Sequence, residues 1–265
     1  MPLSPSPQPS PASGRGGVSA PMTTEAQGRI DLAAAFRWAV RLNWHESIAN
    51  HFSLAVSDDG SRFLLNPNGR HFSRIRASEL LLLNANDPAS AAGPNAPDPT
   101  AWHLHAELHR RVPRARCILH SHAPQVLALC CIRDFEFLML DQNACRYHRR
   151  IAYDRDYSGL ALEASEGARV AGLLGHDKSV LFMGNHGVLV IGASVAEAFD
   201  ELYYLERAAA VQVLALSTGR ELALIPEAVA AKACAQWFAY PTDFSNLHFQ
   251  ELKDILDEEE PDYKL

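Results

Sequence analysis

Residues 117–122, Cys117-Ile118-Leu119-His120-Ser121-His122, read as an apolar strand that ends in two histidines one residue apart. Alternate side chains of a strand project from one face, so both imidazoles can reach a single ion while Ser121 turns away. A divalent ion such as zinc takes three or four ligands, at about 2.0–2.1 Å for nitrogen, so a second element must contribute another. His186 is the candidate. It stands in Gly184-Asn185-His186-Gly187, between the apolar runs Val180-Leu181-Phe182-Met183 and Val188-Leu189-Val190-Ile191, where glycines let the backbone turn sharply and present a ring inward. Taken alone, an HxH pair in a chain with 12 histidines also fits two ordinary strand histidines.

Working outward, the spacing of Leu32, Phe36 and Val40 predicts an amphipathic helix over Glu25 to Asn43. Phe52 to Val56 alternates like a strand, Asp58-Asp59-Gly60 turns it, and Phe63-Leu64-Leu65 returns, which is a hairpin signal. Asn66-Pro67-Asn68-Gly69 is a further turn, Ala77 to Leu83 a short helix and strand, and the polar, proline-rich Asn84 to Pro99 a loop. Thr100 is expected to cap a helix ending near Arg111, with Pro113 just beyond. Helices are also expected over Gln125 to Cys131, over Gly159 to Leu174, and from a Ser194 cap through about Thr218, with Glu197 completing a capping box. Hairpins together with helix–strand alternation favour an α/β fold with a mixed or antiparallel sheet covered by helices. The Pro/Ser/Gly-rich residues 1–23 cannot bury enough apolar surface to offset their ordering entropy and are expected to be disordered. The folded unit should span residues 24–256, followed by an acidic C-terminal tail, 257–265, whose run Asp257 to Glu260 should fray.

Bulk properties narrow the function. At 265 residues the chain suits one large domain or two small ones, with a sizeable core. A net charge of -7 without a basic stripe leaves nucleic acid without an electrostatic footprint. The cluster Arg110, Arg111, Arg114 and Arg116 straddles a helix end, where cations favour the dipole. Five cysteines, an odd number without regular spacing, are not a disulfide framework and read mostly as small buried hydrophobes. No apolar run is long enough to span a membrane and no secretory h-region is present, so the expected compartment is the cytoplasm.

The order of these elements, the block His51-Phe52-Ser53, the turn Leu65-Asn66-Pro67-Asn68-Gly69, and the segments VPRARCILHSHAP and MGNHGVLVIG together resemble the class II aldolase/adducin superfamily over about Ile30 to Gly219. The resemblance implies a three-layer α/β/α domain with a predominantly antiparallel central sheet. It implies one divalent metal held by His120, His122 and His186, with zinc, manganese or iron as the ion. It implies substrate-binding turns at Asn50 and Gly69, where backbone N–H groups can cradle an anion. A homo-oligomer, a tetramer by analogy, also follows from it.

The chain departs from the aldolase pattern in one place that matters. Family aldolases carry an acidic residue nineteen positions before the first histidine of HxH, and here that position is Ala101, whose methyl group cannot transfer a proton. Asp98 and Glu107 are the nearest carboxylates. His105, on the same helix as His103 and His109, matches a family histidine that supports the site, and Tyr240 stands where the family places a tyrosine acid. Loss of carbon dioxide needs no base to start it, whereas a retro-aldol step needs a hydroxyl proton removed. The expected function is therefore a metal-dependent lyase of aldolase or decarboxylase type, cleaving a carbon–carbon bond in a small hydroxy/keto-acid or sugar-derived substrate through a metal-stabilised enolate. A metal oxygenase on the same fold and a non-catalytic adducin-like interaction domain are the alternatives. Adducins lack the metal histidines.

Overall fold

The computed structural model describes residues 24–157 and 159–265; the expectation for residues 1–23 lies outside them. Fourteen helices and strands, with short 3₁₀ turns between them, follow in the order α1 (Glu25–Arg41), β1 (His51–Ala55), β2 (Arg62–Leu65), β3 (Leu81–Asn84), α2 (Pro99–Arg111), β4 (Cys117–Ser121), α3 (Pro124–Cys130), β5 (Ile151–Asp154), α4 (Ala164–Leu174), β6 (Val180–Met183), β7 (Gly187–Gly192), α5 (Val195–Ser217), α6 (Glu227–Ala239) and α7 (Phe244–Glu259). The strands form one sheet in the order β3-β2-β1-β4-β7-β6-β5. The sheet is mixed: β5 and β6 run parallel, and every other neighbouring pair is antiparallel. Helix α4 makes this possible, because a parallel pair needs a crossover connection, whereas antiparallel neighbours can be joined by tight turns.

Successive residues of β4 enter different cores, as the two-residue period of a strand requires. Cys117 and Leu119 join a cluster with α1, α3, α5 and α7, while Ile118 joins one with α2 and α4. Helix α1 is buried along Leu32-Ala33-Ala34-Ala35-Phe36, where small residues allow close approach and Phe36 stacks on Phe52 with ring centroids 4.7 Å apart.

Local chemistry moves several boundaries from their expected places. Asp98, not Thr100, caps α2, its carboxylate accepting the Thr100 N–H, because Pro99 fills the first helical position where no N–H is required. Helix α4 starts at Ala164 rather than Gly159, and Gly159 has φ +109°. Ser194 caps α5 as expected, but the Glu197 carboxylate takes the Ala193 N–H, one residue short of a reciprocal box. In the arginine cluster, Arg114 donates to the Leu174, Gly175 and Lys178 carbonyls at and beyond the end of α4, and Arg110 and Arg111 pair with Glu107 of their own helix.

The tail does not fray. Tyr263 is fully buried, Arg37 pairs with Glu260 and Asp262, and the Leu265 carbonyl accepts the Ser78 N–H. The acidic tail expected to fray meets Arg37, Arg41 and Arg76 in space. Among the described residues no helix is long and apolar enough to cross a membrane.

Candidate metal centre

His120 and His122 project from the end of β4, and the tight turn between β6 and β7 brings His186 against them. The three ring centroids form a near-equilateral triangle with sides of 5.2, 4.7 and 5.1 Å. One ligating nitrogen from each ring lies within 4.8 Å of the others, a group that could hold a metal ion. The turn works differently from the sequence expectation. Asn185, not a glycine, adopts the left-handed conformation (φ +56°), which asparagine tolerates. Gly187 is needed for close approach instead: a Cβ there would lie 2.6 Å from His122 Cδ2 and 2.7 Å from the Ser121 carbonyl oxygen.

The donor set fits a metal in its protonation as well as its placement. His120 Nδ1–H donates to the Val188 carbonyl at 3.1 Å, which leaves Nε2 as the lone-pair nitrogen. The Glu46 carboxylate stands 3.6 Å from His122 Nδ1, and His122 Nε2 is buried without a hydrogen-bond partner. A carboxylate or carbonyl behind a ligating imidazole fixes its tautomer and raises its basicity. Burial pushes the His186 imidazole down to about 4, with the nearby His122 adding to the effect. Burial also holds His120 well below the usual imidazole range and lowers His122 against the opposing pull of Glu46. All three rings are therefore neutral at pH 7, the form that binds metal.

A cavity opens beside the triad, lined by His51, Thr100, Leu104, His120, Tyr157 and His186. Asp154, Asp156, Glu166 and Arg169 line it as well, and Arg169 pairs with both Asp154 and Glu166, so its charge is already matched. Asn50 holds a left-handed backbone (φ +72°), and its buried Oδ1 has no partner. Asn66 ties this turn to the next one, donating to the Asn50 carbonyl and accepting the Phe52 N–H. Gly69 (φ +73°) is exposed at the tip of the second turn, with open space around it.

The other sequence candidates are distributed unevenly. His105 is fully buried and hydrogen-bonds to His51 and Ser53, one layer behind the cavity wall. Ala101 does not face the cavity; it packs with Ala55, Phe63, Leu65 and Leu83 in a separate apolar cluster, while Thr100 and Leu104 line the opening. Asp98 is committed to Thr100, and Glu107 to two arginines. A single chain does not bring Tyr240 to the cavity wall: it is 54% exposed and stacks on Phe244 at 5.1 Å. Sequence reasoning missed Glu46, Asn66 and the lining role of Tyr157. Asn66 lies in the Leu65-Asn66-Pro67-Asn68-Gly69 turn, but its tie to Asn50 shows only in the fold, and Glu46 and Tyr157 carry no local motif.

The comparisons with known proteins assign this sheet to an aldolase-type α/β domain. Residues 30–213 match the family model described as Class II Aldolase and Adducin N-terminal domain, so the chain belongs to that family. A Caulobacter vibrioides protein of the aldolase class 2 group is 35% identical over 205 residues, covering 77% of this chain and 79% of its own. Human beta-adducin is 28% identical over 192 residues, covering 72% of this chain but only 26% of the adducin. Among solved structures, an aldolase II superfamily protein from Pseudomonas syringae superposes with a TM-score of 0.81 at 32% identity, over 93% of this chain and 97% of that one. An L-fuculose 1-phosphate aldolase from Glaciozyma antarctica shares the fold, with a TM-score of 0.75 at 20% identity over 90% of this chain and 92% of its own.

Proposed function

We propose that this protein is a metal-dependent carbon–carbon lyase acting on a small hydroxy/keto-acid or sugar-derived substrate, with His120, His122 and His186 as its metal ligands. The observation that carries the reading is the triad itself: three neutral imidazoles converging on one point, two of them backed by a carbonyl or a carboxylate. An all-nitrogen set suits zinc best, with manganese or iron as other occupants. Such an ion supplies Lewis-acid polarisation of a carbonyl and its neighbouring oxygen, which retro-aldol cleavage and decarboxylation both use.

The chain's own residues favour decarboxylation. The α2 side of the cavity presents Thr100 and Leu104 while Ala101 turns into apolar packing, and the carboxylates that line the opposite side, Asp154 and Glu166, are paired with Arg169, leaving Asp156 as the remaining lining acid. Asn50 Oδ1, buried and unpartnered, is suited to accept a hydrogen bond from a substrate hydroxyl, and Asn66 holds it in place. The Asn68-Gly69 turn is a second binding segment. Tyr240 reaches such a site only from another subunit. The exposed apolar side chains Val211, Leu214, Val229 and Phe238 suit a homo-oligomer, a tetramer by family analogy. Helices packed against both strand faces support the α/β/α layering, and a cytoplasmic setting is compatible with the described residues, none of whose helices is long and apolar enough to cross a membrane. Adducin relatives raise a non-catalytic reading, against which the complete triad argues.

The test is an assay of zinc-loaded protein on small hydroxy- and keto-acids and on fuculose- and ribulose-type phosphates. The expected result is carbon dioxide release from an acid, feeble sugar-phosphate cleavage, and loss of turnover in a chelator. Turnover that survives complete chelation would refute the metal reading, and efficient sugar-phosphate cleavage would refute the decarboxylase reading.

A further inference from the structure

Four buried polar side chains form one continuous line that ends at the cavity. Strand β1 places His51 and Ser53 on one face, and α2 places His105 and His109 one helical turn apart above them. His109 Nδ1 lies 3.0 Å from the Ala115 carbonyl oxygen, and its Nε2 lies 2.8 Å from Ser53 Oγ. Ser53 Oγ lies 2.5 Å from His105 Nδ1, and His105 Nε2 lies 2.7 Å from His51 Nδ1. His51 pairs across the sheet with His120 and is the member of the line that reaches the cavity wall.

The direction of every bond follows from the first. A carbonyl can only accept, so His109 carries its proton on Nδ1 and its Nε2 is an acceptor. The one hydroxyl hydrogen of Ser53 must then go to His109, and Ser53 Oγ must accept from His105 Nδ1–H. His105 Nε2 is left as an acceptor and takes the proton of His51 Nδ1. Burial disfavours a charge at the far end of the line, pushing His109 down to about 3. A second proton on His105 would sit on Nε2 and oppose the His51 Nδ1–H donor at their 2.7 Å contact.

We propose that the Ala115 carbonyl polarises the His109–Ser53–His105–His51 line, locking His51 with its proton on Nδ1 and presenting an unprotonated Nε2 as a hydrogen-bond acceptor for a hydroxyl bound in the cavity. His51 is the group that would touch the ligand, whereas Ser53, His105 and His109 are positioning residues that act through it. The ligand class is a small molecule bearing a hydroxyl group beside its metal-binding oxygen. The line thus supplies an acceptor in a site without the family carboxylate, without needing a buried charge. Assigning that hydroxyl to a substrate rests on the metal-site reading; the direction of the line does not.

The test is long-range proton–nitrogen NMR of the ¹⁵N-labelled full chain at neutral pH, first without metal. His51, His105 and His109 should each show a protonated Nδ1 and an unprotonated Nε2. Ser53→Ala should break the lock, giving mixed tautomers at His105 and His51 with unchanged zinc content. In zinc-loaded protein, saturation with glycolate should move the His51 Nε2 resonance upfield, the direction of hydrogen-bond acceptance, and methoxyacetate, whose hydroxyl is capped, should not. A His51 protonated at Nε2 in the metal-free wild type overturns the polarised line whether or not the protein binds metal. An Nε2 resonance that stays still as glycolate saturates the zinc-loaded protein overturns the acceptor role.

Discussion

Replacing Gly187 by alanine should weaken the metal centre without removing any ligand. The added Cβ would lie 2.7 Å from the Ser121 carbonyl oxygen and 2.6 Å from His122 Cδ2, against an ordinary contact of at least 3.4 Å. Relief requires movements of roughly 0.7–0.8 Å, the differences between those distances and the ordinary contact. Ser121 sits in the β4–β7 ladder opposite Val188, so its carbonyl gives way only by stretching the sheet. His122 is partly exposed and yields first, swinging away from His120 and His186. Functional constellations need their groups held within about 0.5 Å, so a displacement of this size spoils the triad. The expected outcome is a loss of about 10–100-fold in zinc affinity, the range seen when support behind a ligand is removed, with destabilisation of about 1–3 kcal/mol from overpacking. Competition with a chromophoric chelator measures the first and urea unfolding the second. Gly69→Ala is the control: its backbone is strained but the space around it is open, so it should lower stability and spare zinc affinity. A Gly187→Ala protein with wild-type zinc affinity and stability would refute the packing argument.

Three further outcomes follow from the same structure. Ala101→Glu would bury a carboxylate among Ala55, Phe63 and Leu65, so urea unfolding should show a loss of about 3–5 kcal/mol, and a variant as stable as wild type would mean the position opens to water. Burial holds His51 and His109 near 3, below the unfolded value of about 6.5. The unfolded chain therefore binds more protons below that value. Stability of the metal-free protein should be complete above pH 6.5 and fall by about 1.4 kcal/mol per pH unit for each of these histidines as the pH drops towards 4; a flat profile between pH 7 and 5 would contradict this. Tyr263→Ala should cost about 3 kcal/mol or more through its fully buried ring, measurable as a fall in Tm, and an unchanged Tm would show that the tail docks only weakly.

Much of the fold was legible in the sequence because its elements carry strong local signals. The β1–β2 hairpin announces itself in Asp58-Asp59-Gly60, and β4, β6 and β7 in short apolar runs. The triad was legible because strand periodicity puts His120 and His122 on one side and the NHG turn flags His186. What escaped was set by distance. The parallel β5–β6 pair depends on where α4 packs, not on any residue in either strand. The docked tail depends on arginines more than 180 residues away, so nothing local in the acidic run signals its docking. Helix α6 has a single buried position, Ala230, and hence no apolar stripe, whereas α7 carries one in Phe249, Leu252 and Leu256 that the reading of the sequence passed over. The line behind the cavity was half visible: His105 and His109 have helical spacing and His51 and Ser53 strand spacing, but nothing local says that the two faces meet. Ala101 shows the converse, a position read by its count from His120 whose side chain enters the core instead of the cavity.

The most direct test is the metal content of the purified protein and of its single-histidine variants, measured by plasma mass spectrometry after dialysis against zinc. About one zinc per chain is expected for wild type, and most of it should be lost in each of His120→Ala, His122→Ala and His186→Ala, since each removes a third of the protein ligands. Near-full occupancy in all three variants, or none in the folded wild type, would contradict the metal centre.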